Sequence, residues 1–351
     1  MTPELFVGAL GVTLGALLIW GFYTLPNERW QIIAAVPVMK DPDGNWRGLN
    51  LTYYGFFTAT ACALGAVMFT FLSGTMQTSG IITLLIGAAI FSICLPASGG
   101  VARWVERKPH TLTIAGAMFV GILITPGAVA LANFVSTSIG HPSIHLVPMS
   151  AALAISYALG EGVGRLACIS FGCCYGKSLS EVHPVVRGIF SRWHFTFFGN
   201  TKKIAYAAGL DGTRVVPIQG LTALVYIGSA LLGTLLFLKG MYAVAFLTAI
   251  GATNLARVWL ELLRADYRGH GRFSAYQVMA LISVVYCLVI ALLASANIPQ
   301  SRPSLFAGFR AIWTPEVFLF MVSLWIVVFL CTGRSSVTES RVSFYVLRHK
   351  T

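Results

Sequence analysis

The sequence predicts an all-α fold, a polytopic membrane helical bundle of about nine transmembrane helices. Three observations predict it. Of 351 residues, 56% are hydrophobic and only 10% charged, against about 25% charged in a soluble domain. Apolar runs recur at about 5–24, 51–73, 79–97, 112–132, 148–170, 217–238, 241–262, 275–297 and 315–332, each close to the ~20 residues that a spanning helix needs. Long alternating strands are absent, and a backbone in lipid must satisfy its own hydrogen bonds, which leaves helices.

Taken in order, the first run follows acidic Glu4 with no basic stretch before it, so it reads as a retained helix and not a cleaved leader. The link 25–50 is too polar to span; Trp30-Gln31-Ile32-Ile33 suits an interface, and Asp41-Pro42-Asp43-Gly44 a turn. The link 98–110 is short and basic, whereas 133–147 has no lysine or arginine. The longest non-spanning segment, about 177–215, is basic and aromatic and reads as a small extramembrane insertion.

A net charge of +12 would suggest nucleic acid in a soluble protein. In this composition it reflects membrane topology and anionic lipid, so no nucleic-acid partner is expected. The seven cysteines form no disulfide framework and show no zinc spacing with histidine. Cys62, Cys94, Cys287 and Cys331 lie within apolar runs and read as packing residues.

Charge inside a span costs several kcal/mol, roughly 2.5–3.5 on insertion scales, and is kept where it is paired or used. The fifth run carries Glu161 and Arg165, four apart and therefore on one helical face. Gly160/Gly164 and Gly172/Gly176 give small-xxx-small spacings that admit a neighbouring helix or a ligand. The seventh run carries a second cluster, Arg257, Glu261 and Arg264, at i, i+4, i+7, with Asp266 and Arg268 beyond it. Structural ion pairs locking helices together would account for either cluster alone. Two clusters with arginine in excess, beside Gly-rich or Gln-bearing turns, point instead to an anionic headgroup, because guanidinium suits bidentate phosphate recognition. His110 suits a general base by its near-neutral pKa, although a lone interfacial histidine commonly just satisfies local hydrogen bonds.

These residues resemble the bacterial prolipoprotein diacylglyceryl transferase family. Its signature G-R-I-G-N-F-I-N-G-E-x-Y-G has the length of Gly164-Arg-Leu-Ala-Cys-Ile-Ser-Phe-Gly-Cys-Cys-Tyr-Gly176. In the same order come Tyr54-Gly55, a loose His110…Gly116 counterpart of a His-Gly-Gly element, Pro217-Ile-Gln219, and Arg257/Glu261/Arg264 followed by Ser274 and Gln277. The resemblance covers about 51–297 and implies three units: 1–50, an extra N-terminal helix and interfacial link; 51–297, a seven-helix transferase-like core; and 298–351, an extra C-terminal helix and basic tail. It implies a bacterial cytoplasmic (inner) membrane enzyme that moves the diacylglyceryl group of phosphatidylglycerol to a lipobox thiol and releases glycerol phosphate. Arg165 and Arg257 or Arg264 would hold the phosphate, with Glu261 orienting them and His110 as base. Tyr54, Gly164, Tyr175, Gln219, Arg268 and Gln277 are the expected substrate-binding positions. No metal or other cofactor is expected, since guanidinium groups suffice to stabilise the leaving phosphate.

Cys168, Phe171 and Cys173 stand where the family has two asparagines and a glutamate. Cys173 or Cys174 is then either a nucleophile carrying a covalent lipid or a small packing residue. The acceptor is a lipoprotein precursor or a second lipid. A transporter or flippase for anionic lipids is the rival reading, for which broken helices or inverted repeats would speak. With nine spans, nearly all loop lysines and arginines fall on the side that bears the site; the other side has only Lys239, Arg302 and Arg310. The positive-inside rule puts that side and the C-terminus in the cytoplasm, whereas the resemblance implies the outer face.

Overall fold

A computed structural model describes residues 1–107, 113–266, 273–294 and 303–351. Among them, nine helices are long and apolar enough to cross a membrane. They are α1 (Pro3–Thr24), α2 (Tyr53–Thr75), α3 (Gly80–Glu106), α4 (Ile114–Ser138), α5 (Leu146–Phe171), then, after short α6 (Pro184–Phe190) and α7 (Lys203–Ala208), α8 (Ile218–Leu238), α9 (Tyr242–Glu261), α10 (Ala275–Ala294) and, past the eight-residue α11 (Leu305–Ile312), α12 (Pro315–Thr332). The fold is the all-α membrane bundle that the apolar runs predict.

In α5 and α3, the most and the least buried spans, hydropathy and burial run opposite to each other. The spanning window of α5 has a mean hydropathy of 1.4 and is 78% buried, while that of α3 reaches 2.3 and is 11% buried. A span facing lipid must be apolar all round, so polar residues collect on the span that protein encloses. α5 is that span: α2, α8 and α9 pack along it, and α1, α4 and α10 touch it. Its seam with α2 is made of small residues. A Cβ on Gly160 would lie 3.1 Å from the carbonyl oxygen of Ala61, and one on Gly164 3.6 Å from the Ala61 methyl. Close backbone approach of this kind supplies the van der Waals contact that holds helices together in lipid.

Outside the bundle there are a few strands, none of them the long alternating kind that the sequence lacks. β1 (Ile32–Lys40) and β2 (Trp46–Thr52) form an antiparallel hairpin across the Asp41–Gly44 turn, and β5 (Arg334–Val342) adds to β2. Neither outer strand carries the usual signal: β1 includes Pro37, and β5 is charged. Their pairing has a topological consequence. β2 follows α1 and β5 follows α12, so the eight spans between them return the chain to the side where α1 ends.

The joint is tight. Thr52 caps α2, and its backbone N–H and its hydroxyl both donate to the Gly333 carbonyl, at 2.9 and 3.0 Å. A Cβ on Gly55 would lie 2.1 Å from the Gly333 Cα, so only glycine fits there. The basic tail expected after the last span is therefore partly a strand docked beside the entrance to α2.

The 177–215 insertion holds α6, α7 and the two-residue strands β3 (Phe195–Thr196) and β4 (Arg214–Val215), which pair with each other. Lys202 anchors it to the bundle. Fully buried, its Nζ donates to the Leu25 carbonyl at the end of α1 (3.2 Å) and the Ser170 carbonyl at the end of α5 (2.6 Å). A cation at two helix C-termini complements both dipoles. Burial nevertheless pushes its pKa down to about 8, against the opposing charge of Glu28.

Candidate active site

α5 ends in a Schellman turn, and the turn builds the site. Gly172 takes the left-handed conformation (φ 70°), its N–H donates to the Ile169 carbonyl, and the Cys173 N–H reaches back to Cys168 O at 3.0 Å. Cys174 is also left-handed (φ 55°), which a side chain tolerates only where its surroundings hold it. Three contacts hold it here. Gln219, fully buried at the start of α8, donates from Nε2 to the Cys173 carbonyl (2.8 Å). The Ala265 N–H donates to Tyr175 O (3.1 Å) and the Lys177 N–H to Leu263 O (3.0 Å), with Gly176 bridged antiparallel to Arg264. The two charged clusters of the sequence are thus laced together by backbone.

Arg165 and Glu161 form a buried ion pair on α5, 6% and 8% exposed. The Arg165 Nη1 also lies 3.9 Å from Cys168 Sγ. From α9, Arg257 donates from Nη2 to the hydroxyls of Tyr157 (3.1 Å) and Tyr226 (3.2 Å). Arg264 is held in a bidentate pair by Asp266, at 2.8 and 2.7 Å. Arg165, Tyr226, Arg257, Glu261 and Arg264 line one cleft with Ile218, Thr222 and Leu260. Its cavity volume is about 20 Å³, far below the ~300–1,000 Å³ of ordinary ligand clefts, so acyl chains must stay outside it. The Nε atoms of Arg165 and Arg257 are both buried without a hydrogen-bond partner. Buried donors are almost always satisfied, so two orphaned guanidinium N–H groups on one cleft mark a place for an acceptor.

The other expected positions divide. Tyr54 packs at an angle on Phe171, the last residue of α5 before the cysteine turn, 5.5 Å between ring centres. Tyr175 is buried in the turn, and that burial pushes its phenol pKa up. Gly164 abuts α2 and stays away from the cleft. Gln277 belongs to the start of α10, accepting from the Ser274 N–H (2.9 Å) and donating to Val258 O (2.9 Å), which ties α10 to α9. His110 and Arg268 lie outside the described residues.

Sequence reasoning missed two features. Asp266 neutralises Arg264, a pairing at i, i+2 that only a non-helical turn allows. Tyr157 and Tyr226 hold Arg257, from two helices remote in sequence. Cys173, weighed singly as a nucleophile, has Cys168 and Cys174 beside it: the three Sγ atoms lie within 4.8 Å of one another. The thiols of Cys168 and Cys173, then the charges of Arg264 and Arg165, hold the Cys174 thiol well below its usual pKa.

The family model described as prolipoprotein diacylglyceryl transferase matches residues 45–293, a stretch that begins just before β2 and ends in α10. No curated protein matches the chain. The matched region holds the whole Arg165–Arg257 cleft and the cysteine turn, and the chain, a multi-pass membrane transferase, belongs to the prolipoprotein diacylglyceryl transferase family.

Proposed function

We propose that the protein transfers the diacylglyceryl group of phosphatidylglycerol to the cysteine thiol of a lipoprotein precursor, with the headgroup phosphate held between Arg165 and Arg257. The observation that carries this reading is the pair of orphaned Nε donors on one buried cleft. Arg264, with both arms of its fork on Asp266, shapes the turn and leaves the clamp to the other two.

In the transfer, the acceptor sulfur bonds to the terminal glycerol carbon as the bond from that carbon to the phosphate oxygen breaks. The electron pair departs with glycerol phosphate, and the thiol proton goes to a base or to solvent. The leaving group gains one negative charge, and two guanidinium groups stabilise that gain at about 2.7–4 kcal/mol per well-placed donor. Cys173 takes no covalent step in this reading. An alkyl group on its sulfur would be a thioether, whose sulfur is a poor leaving group, and onward transfer would stall.

The assay is transfer from labelled phosphatidylglycerol to a lipobox peptide. Arg257→Lys keeps the charge and loses the planar fork, so product should fall sharply while the unfolding temperature holds; an undiminished rate would remove Arg257 from the clamp. Orientation in a cytoplasmic membrane follows from a reporter fused after Thr351, because β5 ties the C-terminal side to the side where α1 ends. The excess of loop cations predicts a cytoplasmic signal. A periplasmic signal would mean that those cations serve the anionic donor and not topology.

A further inference from the structure

The geometry points to a metal site of three cysteine thiolates, Cys168, Cys173 and Cys174, that binds one soft cation of the Zn2+ or Cu+ class beside the arginine cleft. This inference goes beyond the transfer reading and does not depend on it. It starts from placement. The Schellman turn folds the chain after α5 back on itself, so residues at i, i+5 and i+6 present their sulfurs together, all within 4.8 Å of one another. Three thiolates around a tetrahedral cation at about 2.3 Å would be about 3.8 Å apart. Side-chain rotation of about 1 Å therefore closes the site with the backbone left in place.

The turn has the marks of a site held for use. Cys174 sits in a backbone conformation that costs free energy for any residue with a side chain. Gln219 clamps the Cys173 carbonyl, and its Oε1 is buried with no hydrogen-bond partner. Simple packing residues would not need either feature.

Donor chemistry selects the cation. All three ligands are sulfur, which favours Zn2+ or Cu+ over hard cations such as Mg2+ and Ca2+. Charge does not oppose it: Arg165 and Arg264 carry their own carboxylates, Glu161 and Asp266, and three thiolates outweigh a divalent ion. Three protein ligands with one vacant position is the pattern of zinc sites that exchange a ligand, unlike the closed four-ligand structural kind. A thiol is the ligand class that such a position would take, since a coordinated thiol is deprotonated outright.

The test uses the full chain in detergent, purified under reducing conditions and stripped with a chelator, and reads no activity. Co2+ is the probe. Wild type should bind about one equivalent, with a thiolate-to-cobalt charge-transfer band that Zn2+ abolishes. Cys168→Ser should weaken binding by more than the roughly 10–100-fold that loss of an outer partner costs, and Cys287→Ser, buried in α10, should bind as wild type does. Should Cys168→Ser fail to fold, wild type supplies the same answer: Zn2+ should protect these three thiols, and not Cys331, from alkylation read by peptide mass. A wild type with no sulfur band at equimolar Co2+, equal binding in both variants, unprotected thiols, or recovery of two of the three cysteines as a disulfide after anaerobic purification would each overturn the proposal.

Discussion

Two carboxylate–guanidinium pairs in this protein use the same chemistry with opposite consequences. Glu161–Arg165 lies inside α5, with both side chains under a tenth exposed. Arg47–Glu339 bridges β2 and β5 in a bidentate contact at 2.8 and 3.1 Å, with both side chains about half exposed. The outer pair sits in water that already solvates each charge, so it adds a strand-to-strand contact and little else. The inner pair cannot be broken cheaply, because either partner alone is an uncompensated buried charge. Such a pair is weak evidence for stability and good evidence for use. Arg165 also has an Nε that no protein atom satisfies, and the outer pair has no such residual demand. In the proposed reading, burial is what separates an anion site from a surface clip.

The contrast can be broken or sharpened by substitution. The largest effect belongs to Arg165→Ala alone, which strands Glu161 and should cost about 3–5 kcal/mol of stability, read by thermal unfolding in detergent. Replacing both, as Glu161→Gln with Arg165→Gln, removes the charges together and should recover most of that loss. A double variant as unstable as the single one would mean that Glu161 is not the group left stranded.

Next comes Arg257→Lys, with transfer reduced by about 10²–10³ and unfolding close to wild type. Equal losses in both readouts would make Arg257 a structural residue.

Lys202 stands between the two pairs, a buried cation held by carbonyls alone. Its folded pKa, about 8, lies below the 10.5 of a free lysine, so between those values the unfolded chain binds more protons than the folded one. Stability should then rise with pH across that window. The difference between wild type and Lys202→Met should rise with it, and a difference that is flat or falls would show that Lys202 is not depressed.

The smallest effect is expected of Arg47→Ala, whose unfolding and transfer should match wild type within error. A clear loss in either would mean that the sheet supports the site through more than its backbone pairing.

The fold was legible where lipid imposes one rule on every residue of a segment. All nine apolar runs appear among the described helices, because length and hydropathy alone decide a span. The sheet was not legible, since β1 and β5 take their pairing from β2, nearly 300 residues away from β5, and neither alternates cleanly. Within the site, Arg165, Arg257 and Arg264 were visible because charge in an apolar run is conspicuous. What each arginine does was hidden, because Asp266 and the two tyrosines reach them through a turn and through helix packing. Cys168, Cys173 and Cys174 were visible as departures from one signature, but that their sulfurs meet depends on the left-handed turn at Gly172.

The central claim is that Arg165 is kept for a phosphate and not for Glu161. The most direct measurement is diacylglyceryl transfer from phosphatidylglycerol to a lipobox peptide by the Glu161→Gln/Arg165→Gln variant, after its fold has been verified by unfolding and by size. The account predicts a folded protein that forms no product. Transfer at the wild-type rate would show that the buried pair only holds α5 in place, and would contradict it.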